Sequence, residues 1–215
     1  MNIFILDKNL KIIDKFSSEG DIQNVSPFFN DIYKQYLETG AETFKFTCTK
    51  NNNIEYGNYI AFMFDNKYKL FQISDIDETH EQNFEVEIYC EFAGIELTNE
   101  PLRARTIPSA NIKQYLDTVL ADVDWEVGYV DEDIADIYTI DIKKATKIYI
   151  HIQETIKKYD CEIEFRVEFK GNRVVGKYID AYKRRGIETN VRIEYGKVAD
   201  KVSRRTTGKP LSTAL

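Results

Sequence analysis

The chain has 215 residues, room for one large domain or two small ones, and 43% of them are hydrophobic, with 14 Tyr and 13 Phe. That excludes a wholly disordered chain, and only 4 Pro and 10 Gly exclude collagen-like and low-complexity classes. The net charge of −7, if evenly spread, argues against nucleic acid and anionic membrane as partners. No run approaches the roughly 18 apolar residues of a transmembrane helix. The first ten residues carry Asp7 and Lys8, with no basic stretch and no small-residue cleavage site, so no signal peptide is expected. Cys48, Cys90 and Cys161 are odd in number and far apart. They fit a reducing compartment without a disulfide framework, and they lack the CxxC spacing of a zinc site.

The first hundred residues read as β. Apolar runs at 2–6 and 10–14 flank Asp7-Lys8-Asn9 and predict a hairpin. Phe44, Phe46 and Cys48 alternate with Lys45, Thr47 and Thr49, a strand with one wet face. The run 59–64 is apolar throughout and is expected to be covered on both faces. Asp65-Asn66 then turns into a strand over 67–73. Phe84, Val86, Ile88, Cys90 and Phe92 alternate with Glu85, Glu87, Tyr89 and Glu91. With no long helical pattern between these strands, a meander or small barrel is expected.

Residues 98–160 change character. Ile112, Tyr115, Leu116, Val119 and Leu120 recur at spacings of three and four, one face of a short helix, with Ser109 as its expected N-cap. Ile148, Ile152, Ile156 and Tyr159 line a second helix over 146–159, closed by Lys157-Lys158. From Cys161 the pattern is β again. Ile163, Phe165, Val167 and Phe169 alternate with Glu164, Arg166, Glu168 and Lys170, and Gly171-Asn172 turns the chain into a strand over 173–179. A further alternation covers Val191, Ile193 and Tyr195. The fold class is therefore α+β, mainly β: two small barrel-like β domains with an α+β insert carrying two helices. The expected boundaries are 1–97, 98–160 and 161–215, the last β domain being incomplete at its C-terminus.

The scan for chemistry finds no catalytic, cofactor or metal constellation. His80 lies in a polar turn, His151 sits mid-helix between isoleucines, and the two belong to unrelated segments without HExxH spacing. GxSxG is absent, and Gly208-Lys209 lacks the upstream glycine and the following hydroxyl of a phosphate loop. The cysteines have apolar neighbours and read as packed thiols. Asp75, Asp77 and Glu78 read as a solvated turn without the calcium-loop spacing. Asp131, Glu132, Asp133 and Asp136 read as a solvated acidic face.

Two charge blocks stand out. Residues 117–141 hold nine Asp/Glu and no Lys/Arg; residues 183–209 hold nine Lys/Arg against Glu188, Glu194 and Asp200. They read as two solvated faces attracting each other within one molecule, as complementary contacts between subunits, or as a basic contact with nucleic acid. Only Tyr182 and Tyr195 interleave aromatics with the basic residues, which disfavours the last reading. The candidate subunit-interface charges are Asp131, Glu132, Asp133 and Asp136 on one side and Arg184, Arg185, Arg204 and Arg205 on the other.

The last third carries a recognisable order: Lys158-Tyr159-Asp160-Cys161, then Glu162-Ile163-Glu164-Phe165-Arg166-Val167-Glu168, Gly171-Asn172-Arg173-Val174-Val175-Gly176-Lys177-Tyr178-Ile179-Asp180, Lys183-Arg184-Arg185-Gly186, Glu194-Tyr195-Gly196-Lys197 and Leu211-Ser212-Thr213-Ala214-Leu215. Together with the opening hairpin and Glu91-Phe92-Ala93-Gly94-Ile95-Glu96-Leu97, it resembles the N-terminal region of phage tail-tip proteins, the tail-associated lysins, prophage tail endopeptidases or phage minor structural proteins. The resemblance implies a structural hub similar to the central hub of contractile-tail baseplates. Three copies would form a ring below the distal tail protein, joining the tail tube to fibre or lysin domains, with DNA only passing through the lumen. It implies a virion tail-tip location, no membrane partner, no cofactor and no enzyme activity of the hub itself. Leu215 falls inside a segment that family members continue, so the resemblance implies either a truncated chain or an unusually short hub, in both cases without the family's hydrolase module, and no catalytic residue is transferred. The competing expectations are a cell-wall endopeptidase acting through His151 or carboxylates such as Asp133, and a nucleic-acid-binding module using 183–209.

Overall fold

Period-two alternation of apolar and polar residues builds strands such as Ala41–Thr49 and Glu85–Phe92, because each then has one face to bury, while Tyr59–Phe64 is apolar throughout. The computed structural model describes residues 1–19, 25–78 and 85–186. The strands are β1 (Asn2–Leu6), β2 (Ile12–Ser17), β3 (Ser26–Tyr36), β4 (Ala41–Thr49), β5 (Tyr59–Phe64), β6 (Lys67–Glu78) and β7 (Glu85–Phe92). The pairings run β1–β2–β3–β4–β7–β6–β5 and back to β1, so the seven strands close into a barrel. Closure removes the exposed sheet edges that an open meander would leave. The weakest seam is β2–β3, a parallel pair in register only at Phe16↔Ser26 and Ser17↔Pro27.

Register shows which face points inward. Ile3 lies opposite Phe16 and Phe62, Ile60 opposite Phe71, Phe44 opposite Cys90, and Phe46 opposite Ile88, all fully buried. Phe62 and Phe71 stack at 5.2 Å, and Phe44 packs on Phe62 at 4.7 Å. Burying one such ring contributes roughly 1.5–3 kcal/mol, so this aromatic column adds substantially to barrel stability.

Differences from the sequence reading have local causes. The β5 run is covered only over Ile60–Phe62; Met63 and Phe64 are 51% and 43% exposed because they reach the Asp65-Asn66 turn, where both residues have positive φ. Asp75, Asp77 and Glu78, expected in a turn, extend β6, which stays paired with β7 out to Glu78↔Val86. Phe84, His80, the 191–195 alternation, Arg204, Arg205 and the 211–215 element lie outside the described residues.

After β7 the chain makes a 3-10 turn (Ala93–Thr98) and enters the helical insert: β8 (Pro101–Leu102), β9 (Arg105–Ala110), α1 (Ile112–Val119), β10 (Glu126–Val130), β11 (Tyr138–Ile142), β12 (Thr146–Lys147) and α2 (Ile148–Lys158). Ser109 is not the cap of α1. It sits in β9 with φ +46, and Asn111 caps instead: its side chain accepts from Gln114 N at 2.9 Å, while the Gln114 side chain accepts from Asn111 N at 3.0 Å. This reciprocal box satisfies two donors at the helix start. The helix faces are as the spacing predicts. Ile112, Tyr115, Leu116 and Val119 of α1 are buried, as are Ile148, Ile152 and Ile156 of α2, with Ile150 48% exposed.

The hairpin β13 (Glu162–Lys170) and β14 (Arg173–Tyr182) follows, turning at Gly171 with φ +63. It extends the barrel sheet: β13 meets β6 at Val167↔Tyr68, and β14 takes β10 as a parallel neighbour. Helix α2 and β13 converge on the β3–β4 turn. Tyr149 Oη donates to Thr39 O, and a Cβ at Gly40 (φ +66) would meet Ile163 Cγ1 at 2.7 Å, so the turn needs glycine there. Residues Met1–Arg185 form one unit. No helix among the described residues is long and apolar enough to cross a membrane.

Candidate subunit interface and the charged barrel mouth

The candidate interface charges separate into free and committed groups. Glu132, Asp133 and Asp136 are exposed on the segment after β10. Asp131 is half-buried and turns inward: its carboxylate accepts from the Asp133 and Lys183 backbone amides at 3.2 and 3.3 Å. The earlier part of the acidic block lines two adjoining clefts that share Val123, Asp124 and Lys177. There Glu96 accepts from Trp125 Nε1 at 2.5 Å and from Lys177 Nζ at 2.6 Å.

On the basic side, Arg184 Nη2 holds both Asp160 oxygens at 2.9 and 3.0 Å. Arg184 and then Lys183, through their hydrogen bonds, lower the Asp160 pKa below the ordinary carboxylate value. Asp160 ends α2 in the left-handed region, φ +49, and so faces the Lys183–Arg184 stretch. The Arg185 guanidinium is 9% exposed and lies 3.3 Å from Glu164. Where the two charge blocks touch within the chain, Lys183 contributes only its backbone amide, to Asp131.

The most concentrated charge is one that sequence reading missed. Lys69 has the same parity along β6 as Phe71 and Ile73, so it points into the barrel and is 1% exposed. Its ammonium donates to Glu42 at 2.9 Å, Glu164 at 2.7 Å and the Phe165 carbonyl at 3.3 Å. Glu42, likewise 1% exposed, has the parity of Phe44 and Phe46. Lys67 Nζ reaches the other Glu164 oxygen at 2.5 Å and Tyr182 Oη at 2.6 Å. Arg185 adds its charge to both carboxylates, 3.3 Å from Glu164 and 3.9 Å from Glu42. The mouth of the barrel is thus filled by ion pairs rather than by apolar side chains.

Such burial costs several kcal/mol per ion and is tolerated only when partners and hydrogen bonds are complete. Among the described residues every buried side-chain nitrogen and oxygen has a partner. Burial alone would raise the Glu164 pKa, but the charges of Lys69 and Arg185 and the hydrogen bonds from Lys67 and Lys69 bring it down to about 2. Burial, with Glu42 beside it, pushes the neighbouring Tyr33 phenol up, and its oxygen accepts from Gln35 Nε2 at 2.7 Å. The network continues outward, with Tyr182 donating to Asp180 at 3.2 Å and Arg166 Nε to the same carboxylate at 2.7 Å. Parity marks Lys69 and Glu42 as inward-facing in the sequence. Glu164 has the parity of the wet Arg166, and no local pattern identifies it.

The other candidates have quiet surroundings. His151 is 8% exposed, its Nδ1 2.7 Å from Tyr115 Oη and 3.4 Å from Thr155 Oγ1, and burial lowers its pKa. Asp133, the carboxylate named as the alternative to His151 in the endopeptidase reading, is exposed on another element. All three cysteines are buried; burial pushes the Cys48 thiol to about 12, Cys161 to about 11, and Cys90 well above the ordinary value. Among the described residues no cluster of three or more His, Cys, Asp or Glu could hold a metal ion.

No protein-family profile matches the chain, and no curated protein matches it. Solved structures do. Prophage tail protein gp18 from Listeria monocytogenes matches over 91% of this chain and 55% of its own, with a TM-score of 0.59 at 12% identity. The tail protein from Neisseria meningitidis matches over 71% of this chain and 44% of its own, with a TM-score of 0.50 at 9% identity. The chain spans about half the length of these tail proteins. The fold of this chain, a closed barrel followed by a helical insert and a further β hairpin, is therefore similar to that of known tail proteins, a prophage tail protein among them.

Proposed function

We propose that the chain is a structural component of a phage or prophage tail tip, a hub whose three copies form a ring. The observation that carries this reading is the fold match to a prophage tail protein over 91% of the chain. The distal tail protein and tail tube would lie on one side of the ring, and fibre or lysin domains on the other. DNA would only pass through the lumen. The proposed division is a barrel over 1–97, an α+β insert over 98–160 and a second β domain from 161. The role is one of assembly rather than catalysis. His151 supports this, being tied to Tyr115 and Thr155 in the packing between α1 and α2.

Head-to-tail contacts in a ring put different patches face to face. The exposed Glu132, Asp133 and Asp136 would meet basic residues of the next subunit, Arg204 and Arg205 among them. Arg184 and Arg185 belong to this set only as far as their pairing with Asp160 and Glu164 leaves them free. Light scattering and negative-stain electron microscopy test the proposal. A three-fold ring, alone or on a distal tail protein ring, is the expected result. A chain that stays monomeric at high concentration and also fails to bind the distal ring would overturn it.

A further inference from the structure

The hairpin β13–β14 packs Phe165 on Phe92 and Phe169 on Phe4 and Tyr68 of the barrel, and its polar and backbone contacts to the barrel fall in three places that differ in kind. At its tip, Ile12 N donates to Asn172 O at 2.8 Å and Val174 N to Leu10 O at 3.0 Å. Midway, β13 and β6 share the single register pair Val167↔Tyr68. At its base the contacts to β4 and β6 are ionic: Lys67 and Lys69 of β6 and Glu42 of β4 meet Glu164 and Arg185. Arg185 is also held by its own backbone, its amide donating to Glu162 at 2.9 Å, and its Nη1 donates to the Ile163 carbonyl at 3.3 Å.

We propose that Glu164 and Arg185 form a strap that holds the end of β14 and residues 183–185 against the barrel mouth, with Glu164 as the residue on which it closes. Three cations, Lys67, Lys69 and Arg185, converge on this carboxylate within 3.3 Å. Without it Lys69 and Arg185 would share only Glu42, at 2.9 and 3.9 Å, and Lys67 would keep only the Tyr182 hydroxyl, which leaves positive charge uncompensated at a buried site. Lys69 cannot escape, because it lies inside the barrel. Arg185 and Lys67 can swing into water, since neither lies inside the barrel: Arg185 follows the end of β14, and Lys67 starts its strand beside a turn. Loss of Glu164 therefore opens the base of the hairpin locally and leaves the barrel closed. In the ring proposed above, the strap would hold residues 183–185 in the same place in every subunit. That use rests on the hub reading; the strap itself does not.

Limited trypsin digestion followed by mass spectrometry reads the strap directly, because Lys183, Arg184 and Arg185 are cleavage points and Lys69 reports opening of the barrel. In Glu164→Gln, cleavage at 183–185 should accelerate about tenfold or more over wild type, with cleavage after Lys69 unchanged. Arg185→Gln covers the case in which Glu164→Gln fails to fold. It leaves Lys67 and Lys69 balanced by Glu42 and Glu164, and cleavage after Arg184 should accelerate to a similar degree. Glu168→Gln, which touches only the Arg166 side of the surface, should behave as wild type. Unchanged cleavage at 183–185 in Arg185→Gln, or acceleration at Lys69 in step with 183–185, overturns the strap. Light scattering on the same samples separates the two readings: absence of a ring in wild type counts against the hub alone, and a strap-free variant that still forms rings removes only the strap's use in assembly.

Discussion

His151 illustrates how a residue that draws attention as chemistry becomes part of the packing. Its ring nitrogen meets Tyr115 Oη across the α1–α2 contact, with Thr155 and Glu154 of its own helix nearby. Burial lowers its pKa, and Glu154 opposes that shift only in part. A lowered folded-state value means the neutral ring is favoured in the fold. Its contribution is therefore complete above the unfolded value, roughly 6.5, and is lost as pH falls below it. Denaturant unfolding should show stability falling as pH drops below the unfolded imidazole value, and His151→Gln should flatten that slope. An identical slope in the variant would show that other groups cause it. Glu164 has the same sign at a lower pH: its contribution is complete above the unfolded carboxylate value, roughly 4.3, and is lost progressively as pH falls from there through its folded value of about 2.

The hairpin β13–β14 shows how far a period-two pattern carries at the scale of an element. Ile163, Phe165 and Val167 are buried as the alternation predicts, and Phe165 packs on Phe92 at 4.9 Å and Trp125 at 5.2 Å. Phe165→Asp places a charge among these rings with no partner. It should cost on the order of 4 kcal/mol or more, seen as a large drop in the denaturant midpoint; unchanged stability would mean the face is assigned wrongly. The opposite face breaks the pattern. Glu164 is expected in water, yet it is buried beneath Lys67, Lys69 and Arg185. Helix α1 makes a similar point: its apolar face follows from spacing, while its cap shifts from Ser109 to Asn111 because the capping box needs Gln114 three residues on.

For the whole molecule, the net charge is a poor summary, because it adds an acidic block to a basic one. The structure uses the start of the basic block, Arg184 and Arg185, for pairs with Asp160 and Glu164, and leaves Glu132, Asp133 and Asp136 exposed. If those three meet a neighbouring subunit, neutralising them together (Glu132→Gln, Asp133→Asn, Asp136→Asn) should weaken assembly while changing stability by less than about 0.5 kcal/mol. Raising the salt concentration should weaken assembly of the wild type in the same direction. Rings of unchanged stability in the triple variant at all salt concentrations would remove these residues from the interface.

The sequence by itself determined most of the barrel strands, the β13–β14 hairpin, the two helix faces and the mainly β class with a helical insert, but not β3 or the short strands β8–β12, because alternation and three-and-four spacing report only local burial on one side of an element. It also pointed to a tail-tip resemblance, and the fold agrees with it. Only the tertiary structure decided that seven strands close into a barrel and that its mouth is filled by charge. The reason is physical: Glu42, Lys69, Glu164 and Arg185 are far apart in the chain, and a buried ion is tolerated only where distant elements bring its partners within hydrogen-bonding distance.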